Sequence, residues 1–253
     1  MKTKLSANLV ELVGGIQQAV AKTDSAYEVN FVKGLATHPI PYFGKLEEAE
    51  VLTIGLNPSP GEFENGRWHD QTLAPEELAC ELHNYFHRIV PGHPWFDKWS
   101  AAFRQLNETP QYENGRVAHV DLSPRATKVV SQVPNPGVFA EMIQHDLRWL
   151  PDLLECAKSA KFLLIAGAVN KQKYLIEFLA KHGHDHDVRV TRRDASRRRA
   201  FGFYDLRFRS RCLPVFFSGS GPSARDRGAK LAQNISDHRD AILKLSPAWA
   251  CTR

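Results

Sequence analysis

Four short apolar runs rich in β-forming residues punctuate the chain: Val51–Leu56, Val117–Leu122, Phe162–Ala168 and Leu213–Ser218. Between them apolar positions recur at helical spacing, which predicts helices over Ala7–Ala21, Pro75–Ile89, Trp95–Leu106, Phe139–Ala157, Lys171–Lys181 and Ala224–Leu243. Pro75 followed by Glu76 and Glu77 marks one helix start, and Asn170 is expected to cap another. Strands that alternate with helices make a largely parallel sheet, so the fold class is α/β. Between Val188 and Phe208 the pattern changes to a β-ribbon, Val188–Thr191 and Phe203–Arg207, flanking an arginine-rich tip at Arg192–Arg199.

Composition narrows the picture. With 253 residues, 43% hydrophobic and 24% charged, the chain suits one globular domain, not collagen, a coiled coil or bulk disorder. Residues 1–39 are expected to form a helical extension packed on that domain. No apolar run reaches the roughly 18 residues needed to span a bilayer, and the start Met1-Lys-Thr-Lys has no apolar signal core. A cytoplasmic chain without membrane contact is expected. Cys80, Cys156, Cys212 and Cys251 are scattered and form no C-x-x-C pair, so neither a disulfide framework nor a zinc or iron–sulfur site is suggested.

The formal charge of +5 is modest, but the segment from Val188 to Arg211 holds nine arginines against Asp194 and Asp205. That stretch carries +7 and leaves the rest at −2. Such a stripe is a footprint for a polyanion, with phosphate the leading candidate, because the guanidinium fork matches phosphate oxygens.

In an open α/β sheet, ligands bind beyond the carboxyl ends of the strands. The first run is followed by Gly55-Leu56-Asn57-Pro58-Ser59-Pro60-Gly61-Glu62-Phe63, and the last by Gly219-Ser220-Gly221-Pro222-Ser223-Ala224-Arg225. Gly219-Ser-Gly221-Pro-Ser-Ala224 matches the dinucleotide pattern G-x-G-x-x-A, but too little chain follows for a nucleotide-binding half. No G-x-S-x-G elbow surrounds the serines. His182-Gly-His184-Asp-His186 reads as a surface turn before a metal cluster. Trp95, Phe96 and Trp99 sit at helical spacing and read as core, whereas Trp68, beside Arg67, His69 and Asp70, is a candidate for a pocket wall.

An N-P-S-P loop after the first strand, a P-S turn after the last and a basic ribbon together resemble the uracil-DNA glycosylase superfamily. Gly55-Leu56-Asn57-Pro58-Ser59 resembles the G-x-N-P first motif of mismatch-specific and single-strand-selective members, and Gly221-Pro222-Ser223 the second, usually H-P-S or N-P-S. Ser218, Ser220 and Gly221 compete for the first position of that second motif. The resemblance covers roughly residues 40 to 243. It implies a three-layer α/β/α domain with a short, mostly parallel central sheet, acting as a monomer and without a metal or other cofactor.

The resemblance also implies roles. Asn57 would orient a water for attack at the sugar carbon, and Ser223 would help to stabilise the leaving anion. Gly55, Leu56, Pro58, Phe63, Trp68, Asp121, Ser220 and Gly221 would surround the flipped base. Ser59, Pro222, Arg225 and Arg227, with Arg192, Arg193, Arg197, Arg198 and Arg199 of the ribbon, would hold the DNA. The partner is DNA carrying uracil, or hypoxanthine or xanthine. The sequence departs from the family at Gly221, where a side-chain donor to the base is missing. It departs again at Asp121, near the usual place of an asparagine that reads the base, and an ionised aspartate only accepts. Asp121 is thus either a base reader of relaxed specificity or a cap for a local turn. Phe63 is either a stacking residue or buried beneath its loop. No lysine is placed for a Schiff base, so a monofunctional glycosylase is expected. The alternatives are a catalytically weak member that only binds damaged or single-stranded DNA, and an unrelated α/β enzyme acting on a phosphorylated small molecule.

Overall fold

The computed structural model describes residues 5–22, 27, 39–59, 61–64, 73–88, 94–106, 111–127, 135–170, 173–193, 201–219 and 229–245. In chain order the elements are α1 (Ala7–Ala21), β1 (Tyr42–Phe43), β2 (Val51–Gly55), α2 (Gly61–Glu64), α3 (Pro75–His83), α4 (Tyr85–Arg88), α5 (Pro94–Phe103), β3 (Val117–Asp121), α6 (Pro136–Asp146) and α7 (Leu150–Cys156). There follow β4 (Phe162–Ala166), β5 (Ala168–Asn170), β6 (Lys173–Tyr174), α8 (Leu175–His182), β7 (Val188–Arg192), β8 (Phe201–Phe208), β9 (Arg211–Ser218), α9 (Ala229–Asp237) and α10 (Arg239–Leu245).

Among the described residues seven strands form one mixed sheet in the order β1-β3-β2-β4-β9-β8-β7. The four apolar runs are its centre: β3, β2, β4 and β9 are mutually parallel, so their carboxyl ends share one edge. Every residue of β2, β3 and β4 is buried, as parallel strands covered on both faces must be. Alternation on β1 shows the two covers. Phe43 packs against Phe96 of α5 at 5.3 Å between ring centroids, while the Tyr42 hydroxyl donates to the Ala79 carbonyl of α3 at 3.2 Å. At the amino edge Glu50 accepts from Arg116 (2.8 Å) and Lys161 (2.8 Å), tying the starts of β2, β3 and β4 together.

The sheet is less parallel than its hydrophobic pattern predicts, because β1, β7 and β8 join antiparallel. The two strands of the arginine-rich ribbon extend the main sheet through β9, and the tip residues 194–200 lie outside the described residues. Asn170 caps no helix. It ends β5, which pairs with β6, and the helix expected from Lys171 begins at Leu175. The predicted helix Ala224–Leu243 is two helices, α9 and α10, with residues 220–228 outside the described residues. Pro75 does open α3, with Glu76 and Glu77 in the first turn.

Candidate nucleic-acid and base-binding site

Gly55 and Asp121 are the last residues of β2 and β3 and pair in register. Beyond them the two chains stay joined: Leu122 N–H donates to Gly55 O (3.1 Å) and Ser123 N–H to Leu56 O (2.9 Å). This holds the Asn57 loop against the Ser123–Thr127 segment. The Asn57 amide nitrogen lies 3.0 Å from Pro58 O, 3.1 Å from Arg125 O and 2.9 Å from Thr127 Oγ1. Two of these partners are carbonyls, which only accept, so the NH2 must face them and the orientation of the amide is fixed. The Oδ1 is left as an acceptor, and no donor meets it among the described residues. Asn57 itself is half-buried, Pro58 is buried and Ser59 is exposed.

Behind this loop lies a buried polar chain that the sequence reading missed. Tyr112 OH and Thr53 Oγ1 are 2.7 Å apart, Thr53 Oγ1 and His119 Nδ1 2.7 Å, and His119 Nε2 and Asp121 Oδ1 3.3 Å. With Asp121 ionised and His119 neutral, the chain runs in one direction when Thr53 donates to the ring instead of to the Ala118 carbonyl at 3.5 Å. Tyr112 donates to Thr53, Thr53 to Nδ1, and the Nε2–H to the carboxylate. His119 and Asp121 are two apart on one strand and so share a face, and Thr53 is the registered partner of His119 on the neighbouring strand. Those alternations were readable in the sequence, but which face they occupied was not.

Aromatic rings pack around the Tyr112 and His119 end of the chain. Phe43 and Phe96 stand 5.7 Å and 5.3 Å from the His119 ring, and Phe96 and Phe103 pack on Tyr112. Trp99 and Phe96 are buried, in keeping with a core role. Burial pushes the Asp121 carboxyl above the ordinary carboxylate range, His119 pulls it back, and the nearby Glu62 adds to the rise. Glu62, second residue of α2, is itself buried, and the Tyr85 hydroxyl donates to it at 2.5 Å. Asp121 caps no turn: His119 is its hydrogen-bond partner among the described residues.

Gly55 is required for this approach. A Cβ there would lie 2.4 Å from Asp121 Oδ1 and 2.7 Å from His119 Nε2. Leu56 is half-buried beside it. Phe63 belongs to the backbone of α2, its side chain lying outside the described residues, as do Trp68, Ser220, Gly221, Pro222, Ser223, Arg225 and Arg227 entirely. The described chain of the second motif ends at Gly219, on the same sheet edge as Asn57 and separated from β2 only by β4. There Ser218 is buried and accepts from the Asn234 amide at 2.9 Å.

The arginine stripe divides into two kinds. Arg193 pairs with Asp205 at 2.9 Å, Arg209 pairs with Asp152, and Arg192 lies 5.3 Å over the Tyr204 ring. Arg211 donates to the Leu154 carbonyl at 2.8 Å and to those of Ala157 and Ala160, satisfying carbonyls at the end of α7 and in the turn after it. Arg189 and Arg207 are exposed on the ribbon, and Arg197, Arg198 and Arg199 lie outside the described residues. Part of the local charge thus serves the fold. His184 and His186 belong to an exposed turn, where His184 pairs with Asp185 and His186 bonds the Gln144 carbonyl. Among the described residues no three His, Cys, Asp or Glu side chains cluster in a way that would hold a metal ion. No helix there is long and apolar enough to cross a membrane.

Neither known protein families nor curated proteins yield a match to this chain.

Proposed function

We propose that the chain is a monofunctional DNA glycosylase of the uracil-DNA glycosylase kind, releasing deaminated bases flipped into the carboxyl edge of the sheet and leaving an abasic site. The observation that carries the proposal is Asn57. Its amide nitrogen meets three acceptors, and its Oδ1 has no donor among the described residues, on the sheet edge that also carries the approach to the second motif. Hydrolysis of an N-glycosidic bond needs little more from a nucleophile-positioning residue. The bond breaks toward an oxocarbenium-like sugar, water adds at C1′, and the base leaves with the bonding pair and takes up a proton. Oδ1 would accept one hydrogen of that water and aim its lone pair.

Asp121 would act on the base. Its Oδ1 is engaged by His119, leaving Oδ2 to accept the N3–H of uracil or the N1–H of hypoxanthine or xanthine. With Gly221 in place of a histidine or asparagine, one donor to the leaving base is absent, a loss worth about 2.7–4 kcal/mol in comparable sites. A modest rate and broad base acceptance follow. Within this proposal the fold is the glycosylase-like three-layer α/β/α arrangement, and Ser59, Arg189, Arg207 and the ribbon tip hold backbone phosphates.

The test is incubation with end-labelled oligonucleotides, single- and double-stranded, bearing uracil, hypoxanthine or xanthine, followed by hot alkali. Strand scission confined to the modified position is expected. Tight binding of all the strands without scission would replace the enzyme by a binding protein of the same architecture.

A further inference from the structure

A cavity of about 640 Å³ lies between the end of α1 and the turn that joins α6 to α7. Its walls include Lys22, Tyr27, Arg125, His145, Arg148 and Trp149, and among the described residues no carboxylate lines it. The acid beneath it, Asp146, is fully buried and already saturated, accepting from Ser123 Oγ (2.6 Å) and Arg125 Nε (2.9 Å) and meeting His145 Nδ1 at 3.2 Å. Asp146 therefore balances Arg125. Lys22 and Arg148 are exposed and have no ion pair among the described residues. The Arg148 guanidinium is set 4.8 Å over the Trp149 ring, which limits its freedom before anything binds.

We infer that this cavity binds a nucleotide, its phosphate held by Lys22 and Arg148 and its base lying against the aromatic wall. Guanidinium and ammonium groups without a counter-charge suit a phosphate, and aromatic faces beside them suit a base, where sulfate or phosphate alone would have no use for the rings. The volume is that of a small-ligand site. The nucleotide is either free or one unit of a strand whose damaged position sits at Asn57. The cavity is joined to that site by one residue, because Arg125 turns its side chain to the cavity while its carbonyl accepts from the Asn57 amide at 3.1 Å.

The experiment is calorimetric titration of the full chain with adenosine 5′-monophosphate, inorganic phosphate, adenosine and a thymidine 12-mer. Each titration is repeated on Asn57→Ala and on the double variant Lys22→Glu, Arg148→Glu. Both altered side chains of the double variant are exposed, and its thermal melt verifies folding. The monophosphate is expected to bind at least tenfold more tightly than phosphate or adenosine, to bind Asn57→Ala as it binds wild type, and to lose at least tenfold in the double variant. Loss confined to the 12-mer would identify the strand as the source of the nucleotide. Undiminished binding of both in the double variant, or phosphate binding as tightly as the monophosphate, would overturn the assignment. Because the readout is binding, it holds whether or not any base is released.

Discussion

Replacing Gly55 by alanine tests whether the approach of Asp121 and His119 to the sheet edge is as tight as it looks. The new Cβ would sit 2.4 Å from Asp121 Oδ1, about 1 Å inside the 3.4 Å at which ordinary contact begins, and 2.7 Å from His119 Nε2. Neither neighbour gives way cheaply. Asp121 has a short side chain at the end of a buried strand, and the His119 ring is held by Thr53 and flanked by Phe43 and Phe96. Moving the carboxylate aside by that distance stretches the 3.3 Å contact with His119 beyond hydrogen-bonding reach. Overpacking costs about 1–3 kcal/mol and the lost hydrogen bond about 1 kcal/mol more, so the expected destabilisation is about 2–4 kcal/mol. Urea denaturation measures it. The control is Gly137→Ala in the first turn of α6, where a Cβ meets only Asn135 Oδ1 at 3.4 Å and alanine should be neutral or stabilising. Pairing Gly55→Ala with Asp121→Ala should restore part of the loss, since the closest obstacle is gone. A change below about 0.5 kcal/mol in the single variant, the size of an ordinary surface substitution, would refute the packing account.

Other expectations follow from the same contacts. A carboxyl held above its unfolded value binds more protons in the folded state, so Asp121 makes stability fall as pH rises from the ordinary carboxylate range through its raised value. Asp121→Asn should remove that decline, so that in urea melts at pH 4 and pH 7 the variant gains on wild type at the higher pH; a relative loss there would contradict the sign. Asp146→Ala strands Arg125 in the interior and should cost about 3–5 kcal/mol. Glu50→Ala, which breaks two ion pairs on half-exposed partners, should cost under about 1 kcal/mol by the same melts. Within the arginine stripe, neutralising Arg197, Arg198 and Arg199 together should lower the salt slope of DNA binding by about 2–3, while Arg211→Ala should reduce stability by about 1 kcal/mol and leave the slope alone.

The parallel centre of the sheet was legible because buried parallel strands are continuous apolar runs, and all four runs became β2, β3, β4 and β9. The antiparallel margins were harder to read. β1 is two residues long, too short for any periodicity, and β6 takes up the start of what reads as one helix from Lys171. Asn57 was visible through its motif, but the partners that orient it were not. Arg125 contributes a backbone carbonyl and Thr127 a hydroxyl from 68 and 70 residues away, and a carbonyl leaves no mark in a sequence. Likewise His119 reads as an ordinary strand residue until the register sets it beside Thr53. Charge misled in the opposite direction, since Arg193, Arg209 and Arg211 are committed to Asp205, Asp152 and the end of α7.

The most direct test of the central claim is single-turnover base release, followed by mass spectrometry of the freed base, from a uracil-containing oligonucleotide at saturating protein. Wild type and Asn57→Ala are compared, with DNA binding and thermal stability measured on the same preparations. The account predicts that wild type releases uracil and that Asn57→Ala loses at least a hundredfold in rate while binding DNA equally well. Release at the wild-type rate by Asn57→Ala, or none by wild type on uracil, hypoxanthine or xanthine in either strand form, would contradict it.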